Sequence, residues 1–412
     1  MAASAAIFVL PSTTEGQQGP VAAWVSTAGW ASAAERVLGE VWIATPSGLL
    51  DPEEAARRGS ESHLSSDTAS RWRRRLPTVA KTAVKDARQW RRARRFRVDP
   101  SGPWAGRDIK FVWQRHELFH TAGLALARAL GVPSVIFVPA TLVWESDQWA
   151  VGRPGWGRRL ERVAERPALR GADLIACGSD MVAEQVLRLG VSRSRILVTP
   201  TGVDVGLFAG HGNADALRGQ LRLAGRFVVG WVGSFRPFHA LDQAVDAVTE
   251  IEDASLLLVG DGPERPRIER LARDRGVHAV FTGTISHAEL PAYLAAMDVG
   301  LVLARPGQAF HYSPLKLAEY LAAGLPMVAP RVAKLTQRLT DGVDALLVPP
   351  GDAGAVAAAL RRLHDDPDGR RRIGAAARAA AAARWSWDHE VRRVLEALRP
   401  DEGAPEELKP GF

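Results

Sequence analysis

The sequence predicts an α/β protein made of two doubly wound, Rossmann-like domains that face each other across a cleft. Three observations carry this. The chain has 412 residues, which is long for one domain and comfortable for two. Short apolar runs alternate with helical periods through both halves. The alternation breaks between Thr201 and Gly210, where a linker would leave a cleft, and clefts between domains are preferred ligand sites.

In the first half, Ile7-Phe8-Val9-Leu10 reads as a strand. Glu15 to Pro20 is a glycine-bearing loop, and Val21 to Leu38 reads as a helix that Gly29 weakens. Val41 to Ala44 and Ile109 to Gln114 are strands on either side of a basic segment. A helix from about Thr121 to Leu130 is stopped by Gly131 and Pro133. Ser134 to Val138 is the next strand, and a helix from about Trp156 to Arg170 precedes the strand Leu174 to Cys177. Ser179 caps a helix running to about Leu189, and Arg195 to Thr199 closes this half.

The second half repeats the style. Phe227 to Gly233, Ser255 to Val259 and His278 to Gly283 read as strands, the first two ending in glycine turns. Pro266 to Arg275 and Glu289 to Met297 read as helices, Val299 to Leu303 and Pro326 to Pro330 as buried strands, and Ala345 to Val348 as a late strand. The alanine-dense stretch Ala375 to Ala383 reads as helix, and the tail beyond Pro400 as frayed.

The most informative stretch runs from Ser313 to Gly324. Ser313 is a good N-cap, Pro314 suits the first helical position, Gly324 suits the stop and Pro326 forbids continuation. Lys316 and Glu319, three residues apart, share a face. A cation in a first turn is poor for helix stability, whereas a free N-terminus plus a lysine makes an anion site. A glutamate one turn further on can accept hydrogen bonds from two vicinal ribose hydroxyls. The pattern reads as a holder for a phosphorylated, ribose-bearing ligand. The competing reading is an amphipathic core helix with two solvated charges.

No stretch is apolar and long enough to span a bilayer. The N-terminus lacks a basic leader, and Ala5 to Leu10 reads as a first strand rather than a signal peptide. The single cysteine, Cys177, excludes an intrachain disulfide and a cysteine metal site. These readings make the cytoplasm the expected compartment, with peripheral attachment to the inner membrane face as its extension. The net charge of +7 is concentrated between Arg71 and Arg97, where twelve Arg and Lys accompany one acid, Asp86, and Trp72, Trp90 and Phe96 are interleaved. This suggests contact with an anionic membrane surface or an acidic partner. The competing reading is a solvated helical hairpin. No nucleic-acid-binding motif accompanies the run, so nucleic acid is not expected.

Five segments in order give the chain a family resemblance: Pro200-Thr201-Gly202-Val203-Asp204, Val232 to His239, Leu258 to Pro263, Phe281-Thr282-Gly283 and Ser313 to Gly324. The chain resembles the GT-B glycosyltransferases of family 4, retaining enzymes that use nucleotide-sugar donors. The resemblance covers nearly all of the C-terminal half and, more loosely, the N-terminal half. It implies an acceptor-binding domain over 1–205, a nucleotide-sugar-binding domain over 206–385, a helix over 386–400 packed back on the first domain, and a tail over 401–412. It implies a hexosyl- or N-acetylhexosaminyltransferase whose donor, a uridine diphosphate sugar for preference, is a substrate and not a cofactor. The acceptor would be a polysaccharide, a lipid-linked precursor or a natural product.

Residue by residue, the resemblance implies that Glu319 binds the nucleotide ribose as the second Glu of the family's Glu-x7-Glu element. Arg236 would contact the diphosphate, and the backbone around Thr282 and Gly283 would lie against the base. Ser313, Pro314, Leu315 and Lys316 would form the donor helix start, with Gly233 at the phosphate-side turn. Two departures stand out: His311 replaces the first Glu, and His239 replaces a frequent lysine. Lys316 and the helix N-terminus can supply the missing positive field. Gly16 and Gly19 would let the backbone approach the donor.

His116, Glu117 and His120, with Arg115 beside them, follow the strand ending at Gln114 and are expected at its cleft edge, His116 as a proton relay to the acceptor. Their competing reading is ordinary polar residues at a helix start. Glu145, Asp147, Trp144 and Trp149 are further acceptor-side candidates, and Asp261 reads as a turn residue. No Asp-x-Asp pair of a metal-dependent transferase is evident, so no metal is expected. A GT-B nucleotide-sugar epimerase and a non-catalytic nucleotide-sugar-binding subunit are the alternatives. A sugar phosphorylase is disfavoured, because no lysine motif for a pyridoxal cofactor is evident.

Overall fold

The computed structural model describes residues 4–11, 21–61, 78–148, 153–209, 214–307 and 315–399. The first sheet contains β1 (Ser4–Val9), β2 (Gly39–Thr45), β3 (Gly48–Leu50), β4 (Asp108–Arg115), β5 (Ser134–Val138), β6 (Leu174–Cys177) and β7 (Ile196–Val198). Their order is β3-β2-β1-β4-β5-β6-β7. All neighbours are parallel except β3, which turns back on β2 with Thr45 opposite Gly48. The second sheet contains β8 (Phe227–Val232), β9 (Ala254–Val259), β10 (Ala279–Gly283), β11 (Val299–Leu301), β12 (Met327–Pro330) and β13 (Leu346–Val348). It is wholly parallel, in the order β10-β9-β8-β11-β12-β13.

Parallel strands covered by helices on both faces must be apolar throughout. The residues of β1 from Ala5 to Val9 and all of β9 are accordingly buried. In both sheets the strand order reverses beside a central strand, at β1/β4 and at β8/β11. Such switch points are where doubly wound sheets bind ligands. The helix Val21–Leu38 follows β1, and the helix Leu315–Ala323 lies between β11 and β12. These two helices line one cavity between the sheets.

Aromatic residues fill the first core. Trp113 stacks on Phe137 with centroids 5.7 Å apart, and Trp30 packs against Trp113, Phe137 and Trp387. Trp387 belongs to the last helix, Trp387–Ala397, whose Val391 and Val394 join the same core. The chain therefore crosses between the sheets twice. The crossings run side by side, with a parallel bridge between Val203 and Ser386 and the Val203 N–H donating to the Trp385 carbonyl at 2.8 Å.

Gly29 receives its reason here. A Cβ on it would lie 2.2 Å from Trp387 Nε1, and a Cβ on Gly202 would lie 2.6 Å from the same indole. Both glycines make room for a ring, so Val21–Leu38 tolerates a residue that costs helix propensity.

Local chemistry ends the helices as the sequence suggests. Ser179 accepts from the Val182 N–H, and Gly324 adopts φ 65° after Ala323. The segment read as one helix from Trp156 to Arg170 contains a π-helical stretch, Glu161–Glu165. The strand β3 and the helices Pro52–Glu61, Leu142–Gln148, Ala214–Gln220, Leu241–Val248 and Ala353–Asp365 are additions to the sequence reading. Of the basic run, Arg71 to Arg75 lie outside the described residues, Lys81 to Arg95 lie on the helix Thr78–Arg95, and Arg97 follows it in irregular chain.

Candidate active site

The donor side is built on strand ends. After β8 the chain turns at Gly233, with φ 148°, and after β9 at Gly260, with φ 125°. The turns lie back to back: a Cβ on Gly260 would stand 2.0 Å from the Gly233 carbonyl oxygen. Gly233 N–H donates to Val259 O at 2.9 Å, Phe235 N–H to Asp261 O at 3.0 Å, and Gly260 N–H to Gly283 O at 2.9 Å. Three strand ends are thereby tied together. Only glycine gives both the positive φ and the close approach. Asp261 acts within its turn, its Oδ1 accepting from the Gly262 N–H. Thr282 Oγ1 donates to the Gly283 carbonyl at 2.8 Å.

Lys316 reaches this turn from the helix Leu315–Ala323. Its Nζ lies 4.1 Å from the centroid of Trp231 and would be 2.9 Å from a Cβ on Gly233. Lys316 is 8 % exposed, and burial pulls its pKa down to about 7 against the raising effect of Glu319. His239 packs on Trp231 and Phe238. Burial, followed by the charges of Lys316 and Arg236, brings its pKa to about 2, so the ring is neutral. His239 therefore adds no positive charge beside this turn. Arg236 is exposed and makes no ion pair with a described residue.

Glu319 is 5 % exposed. It lines the cavity between its own helix and Val21–Leu38, together with Val25, Gly29, Gly202, Asp204 and His287. His287 Nε2 lies 3.0 Å from Glu319 Oε1. Sequence reading did not single out His287, which is 32 positions from its partner. The available signal was the Ser286-x-x-Glu289 spacing, which marks a helix start and places His287 in the loop before it.

Gly16, Gly19, His311, Ser313, Pro314 and Trp149 lie outside the described residues. Leu315 opens the described part of the donor helix and lines the same cavity as Glu319.

On the acceptor side the structure revises one expectation. The side chain of His116 does not face the cleft: it is fully enclosed, its Nε2 3.0 Å from Glu165 Oε1, itself 1 % exposed. Glu165 also accepts from the Leu142 N–H at 2.6 Å. The π-helical turn aims this carboxylate at the start of the helix Leu142–Gln148, and His116 completes its hydrogen bonding. Removal of a buried partner, not contact with a substrate, is the consequence this geometry gives His116. His120 is buried against Phe96, and burial with the nearby Arg92 charge lowers its pKa to about 4. Glu117 is 8 % exposed.

Arg115, of this group, turns toward the helix Val21–Leu38. Its Nη1 donates to Ser26 Oγ at 3.2 Å on the helix Val21–Leu38. Burial lowers its pKa while Glu117 and Glu145 oppose the shift. Burial raises the pKa of Glu145 against Arg115 and Lys85. Trp144 is half-buried and Asp147 exposed. Among the described residues no three His, Cys, Asp or Glu converge as metal ligands.

Comparison with known proteins gives the chain a family and a fold. Residues 31–207 match the family described as Glycosyltransferase Family 4, and residues 226–366 match Glycosyl transferases group 1. The GDP-mannose-dependent alpha-(1-6)-phosphatidylinositol monomannoside mannosyltransferase of Mycobacterium tuberculosis is 32 % identical over 311 residues, covering 73 % of this chain and 78 % of that one. The 2-deoxystreptamine N-acetyl-D-glucosaminyltransferase of Streptomyces fradiae is 33 % identical over 251 residues, 58 % of each chain. Among solved structures, Anabaena HepE in complex with UDP superposes with a TM-score of 0.64 at 18 % identity, covering 95 % of this chain and 99 % of its own. WaaG, involved in lipopolysaccharide biosynthesis, gives 0.60 at 16 % identity with the same coverage.

Proposed function

Since the chain belongs to the family 4 glycosyltransferases of GT-B fold, we propose that it is a retaining, metal-independent hexosyl- or N-acetylhexosaminyltransferase. Its donor is a nucleoside diphosphate sugar, with a uridine diphosphate sugar favoured and a guanosine diphosphate sugar next. The observation that carries this is Lys316 Nζ against the Gly233 turn, with Glu319 one helical turn away in the inter-sheet cavity.

Cleavage of a glycosyl phosphate develops negative charge on the leaving diphosphate. Lys316, Arg236 and the turn N–H groups stabilise it, and each such contact contributes about 10²-fold in rate. Burial keeps Lys316 near its midpoint at neutral pH, and the arriving diphosphate restores its proton. Thr282 and Gly283 lie against the base, and Glu319 takes the ribose. The acceptor hydroxyl attacks from the face the diphosphate leaves, giving retention, and the leaving phosphate takes its proton. Arg115 and Glu145 serve the acceptor side, with His116 and Glu165 holding their supports in place.

The acceptor is a polysaccharide, a lipid-linked precursor or a natural product. Two relatives are named for acting on a phosphatidylinositol monomannoside and on 2-deoxystreptamine, which correspond to the last two classes. The helix Thr78–Arg95 supports membrane proximity at a cytoplasmic leaflet. Its one acid, Asp86, is buried in a pair with Arg153 at 2.8 Å and accepts from Trp156 Nε1 at 3.0 Å. Its outer face therefore carries Lys81, Lys85, Arg88, Arg91 and Arg94 around exposed Val84 and Trp90, with no acid among them. No helix among the described residues is long and apolar enough to cross a membrane.

The test is calorimetric titration with UDP, GDP, ADP and TDP, without metal and then with Mg²⁺, followed by turnover of the labelled sugar donor. Micromolar binding of one nucleotide without metal, with turnover lost in Lys316→Ala, is expected. Binding without turnover would favour a non-catalytic subunit, and isomerisation of donor without acceptor would favour an epimerase. No binding by folded protein refutes the site.

A further inference from the structure

His287 is held from several sides. Its loop closes on itself: the Ser286 N–H and hydroxyl both donate to Glu289 Oε2, at 2.9 and 2.6 Å, and the Glu289 N–H returns to the Ser286 carbonyl at 3.1 Å. The Leu290 N–H donates to the His287 carbonyl. The ring of Phe208, which is 2 % exposed, meets the imidazole edge-on at 6.1 Å. Burial opposes the protonated ring, yet the hydrogen bond and charge of Glu319, with Asp204, raise its pKa above the usual value.

The result is a fixed donor aimed at one oxygen of Glu319. Oε1 takes the imidazole at 3.0 Å, and Oε2 has no hydrogen-bond partner among the described residues. A glutamate side chain free to rotate would lose that freedom on binding a ligand. Here it is immobilised beforehand, which is preorganisation. Both residues line the same cavity.

We propose that His287 is a positioning residue for ribose recognition: it holds Glu319 through Oε1 so that Oε2 is presented to the ribose hydroxyls of the bound nucleotide. This rests on the reading of Glu319 as the ribose acceptor. His287 thereby sets the selectivity of the site for ribonucleotides over nucleotides lacking the hydroxyls. Because Asp204 and Phe208 belong to the segment entering the second sheet, the ribose site is braced against the crossing between the sheets.

The test compares UDP with 2′,3′-dideoxy-UDP, and GDP with its dideoxy analogue, on the full chain. Wild type, Glu319→Ala, His287→Phe and His287→Gln are titrated calorimetrically, with circular dichroism confirming the fold. His287→Phe keeps a ring against Phe208 and removes the donor. His287→Gln keeps a donor. Wild type is expected to prefer the ribonucleotide by about 10-fold or more, the scale of hydrogen bonds to a charged group. Glu319→Ala erases the preference. His287→Phe reduces it several-fold while binding of the dideoxy nucleotide is unchanged, and His287→Gln restores part of it. Full preference in His287→Phe, or equal loss for both nucleotides, overturns the inference and leaves the Glu319 reading standing. No preference in wild type, or preference surviving in Glu319→Ala, overturns the ribose reading and the inference with it.

Discussion

Lys316→Met should make the unliganded protein more stable while it abolishes tight diphosphate binding. Lys316 is buried, and its pKa falls from the ordinary 10.5 to about 7. That shift, 10.5 less about 7, is about 3.5 units, and at about 1.4 kcal/mol per unit it sets a ceiling of about 5 kcal/mol on the cost of burying the charge. The cation over Trp231 at 4.1 Å already offsets desolvation, by about 0.5–2 kcal/mol at sites of this kind. Methionine fills a similar volume without charge, so a gain of about 2–4 kcal/mol is expected at pH 7.

The sign of the pH dependence is set by which state holds the proton. The unfolded chain keeps it to about pH 10 and the native protein only to about pH 7. Between these values the unfolded state binds more protons, so wild-type stability rises with pH, by at most about 1.4 kcal/mol per unit from this group. The advantage of Lys316→Met is therefore full at pH 7 and below, and closes as pH approaches 10. Urea unfolding followed by tryptophan fluorescence at pH 7 and 9.5 measures both. A variant less stable than wild type at pH 7, or a gap that does not narrow at 9.5, would refute the reasoning.

Three further outcomes follow from the packing. Gly29→Ala lies in a helix, where propensity alone would stabilise by about 1 kcal/mol. Its Cβ would meet Trp387 at 2.2 Å, so a net loss of about 1–3 kcal/mol in thermal unfolding is expected, and a gain would show that the indole moves aside freely. Gly260→Ala forces a positive φ on a side chain and drives it into Gly233; loss of nucleotide binding by calorimetry is expected, and unchanged affinity would detach that turn from the site. Asp86→Ala leaves Arg153 buried without its carboxylate; a loss of about 3 kcal/mol in urea unfolding is expected, whereas a neutral outcome would mean that Arg153 finds solvent.

The parallel strands and many of the helices were legible in the sequence because apolar runs, caps and glycine stops are local signals. β1, β9 and the stop at Gly324 are where the residues place them. The short helix Leu142–Gln148 was not legible, because its first N–H groups are satisfied by Glu165, about twenty positions away, and not by a neighbouring cap. His116 was misplaced for the same reason: a strand-end position shows which edge a residue occupies, while the partner that turns its side chain inward comes from a distant helix.

The sequence by itself therefore determined the α/β class, the family and the pairing of Lys316 with Glu319 on one helix face. These depend on period, spacing and residue type. Tertiary structure alone decided that Lys316 reaches the Gly233 turn across Trp231, that His287 holds Glu319, and that Asp86 is turned inward. Each of these is a contact between segments far apart in the chain. Its energy comes from burial and partner geometry, which no local pattern of residues encodes.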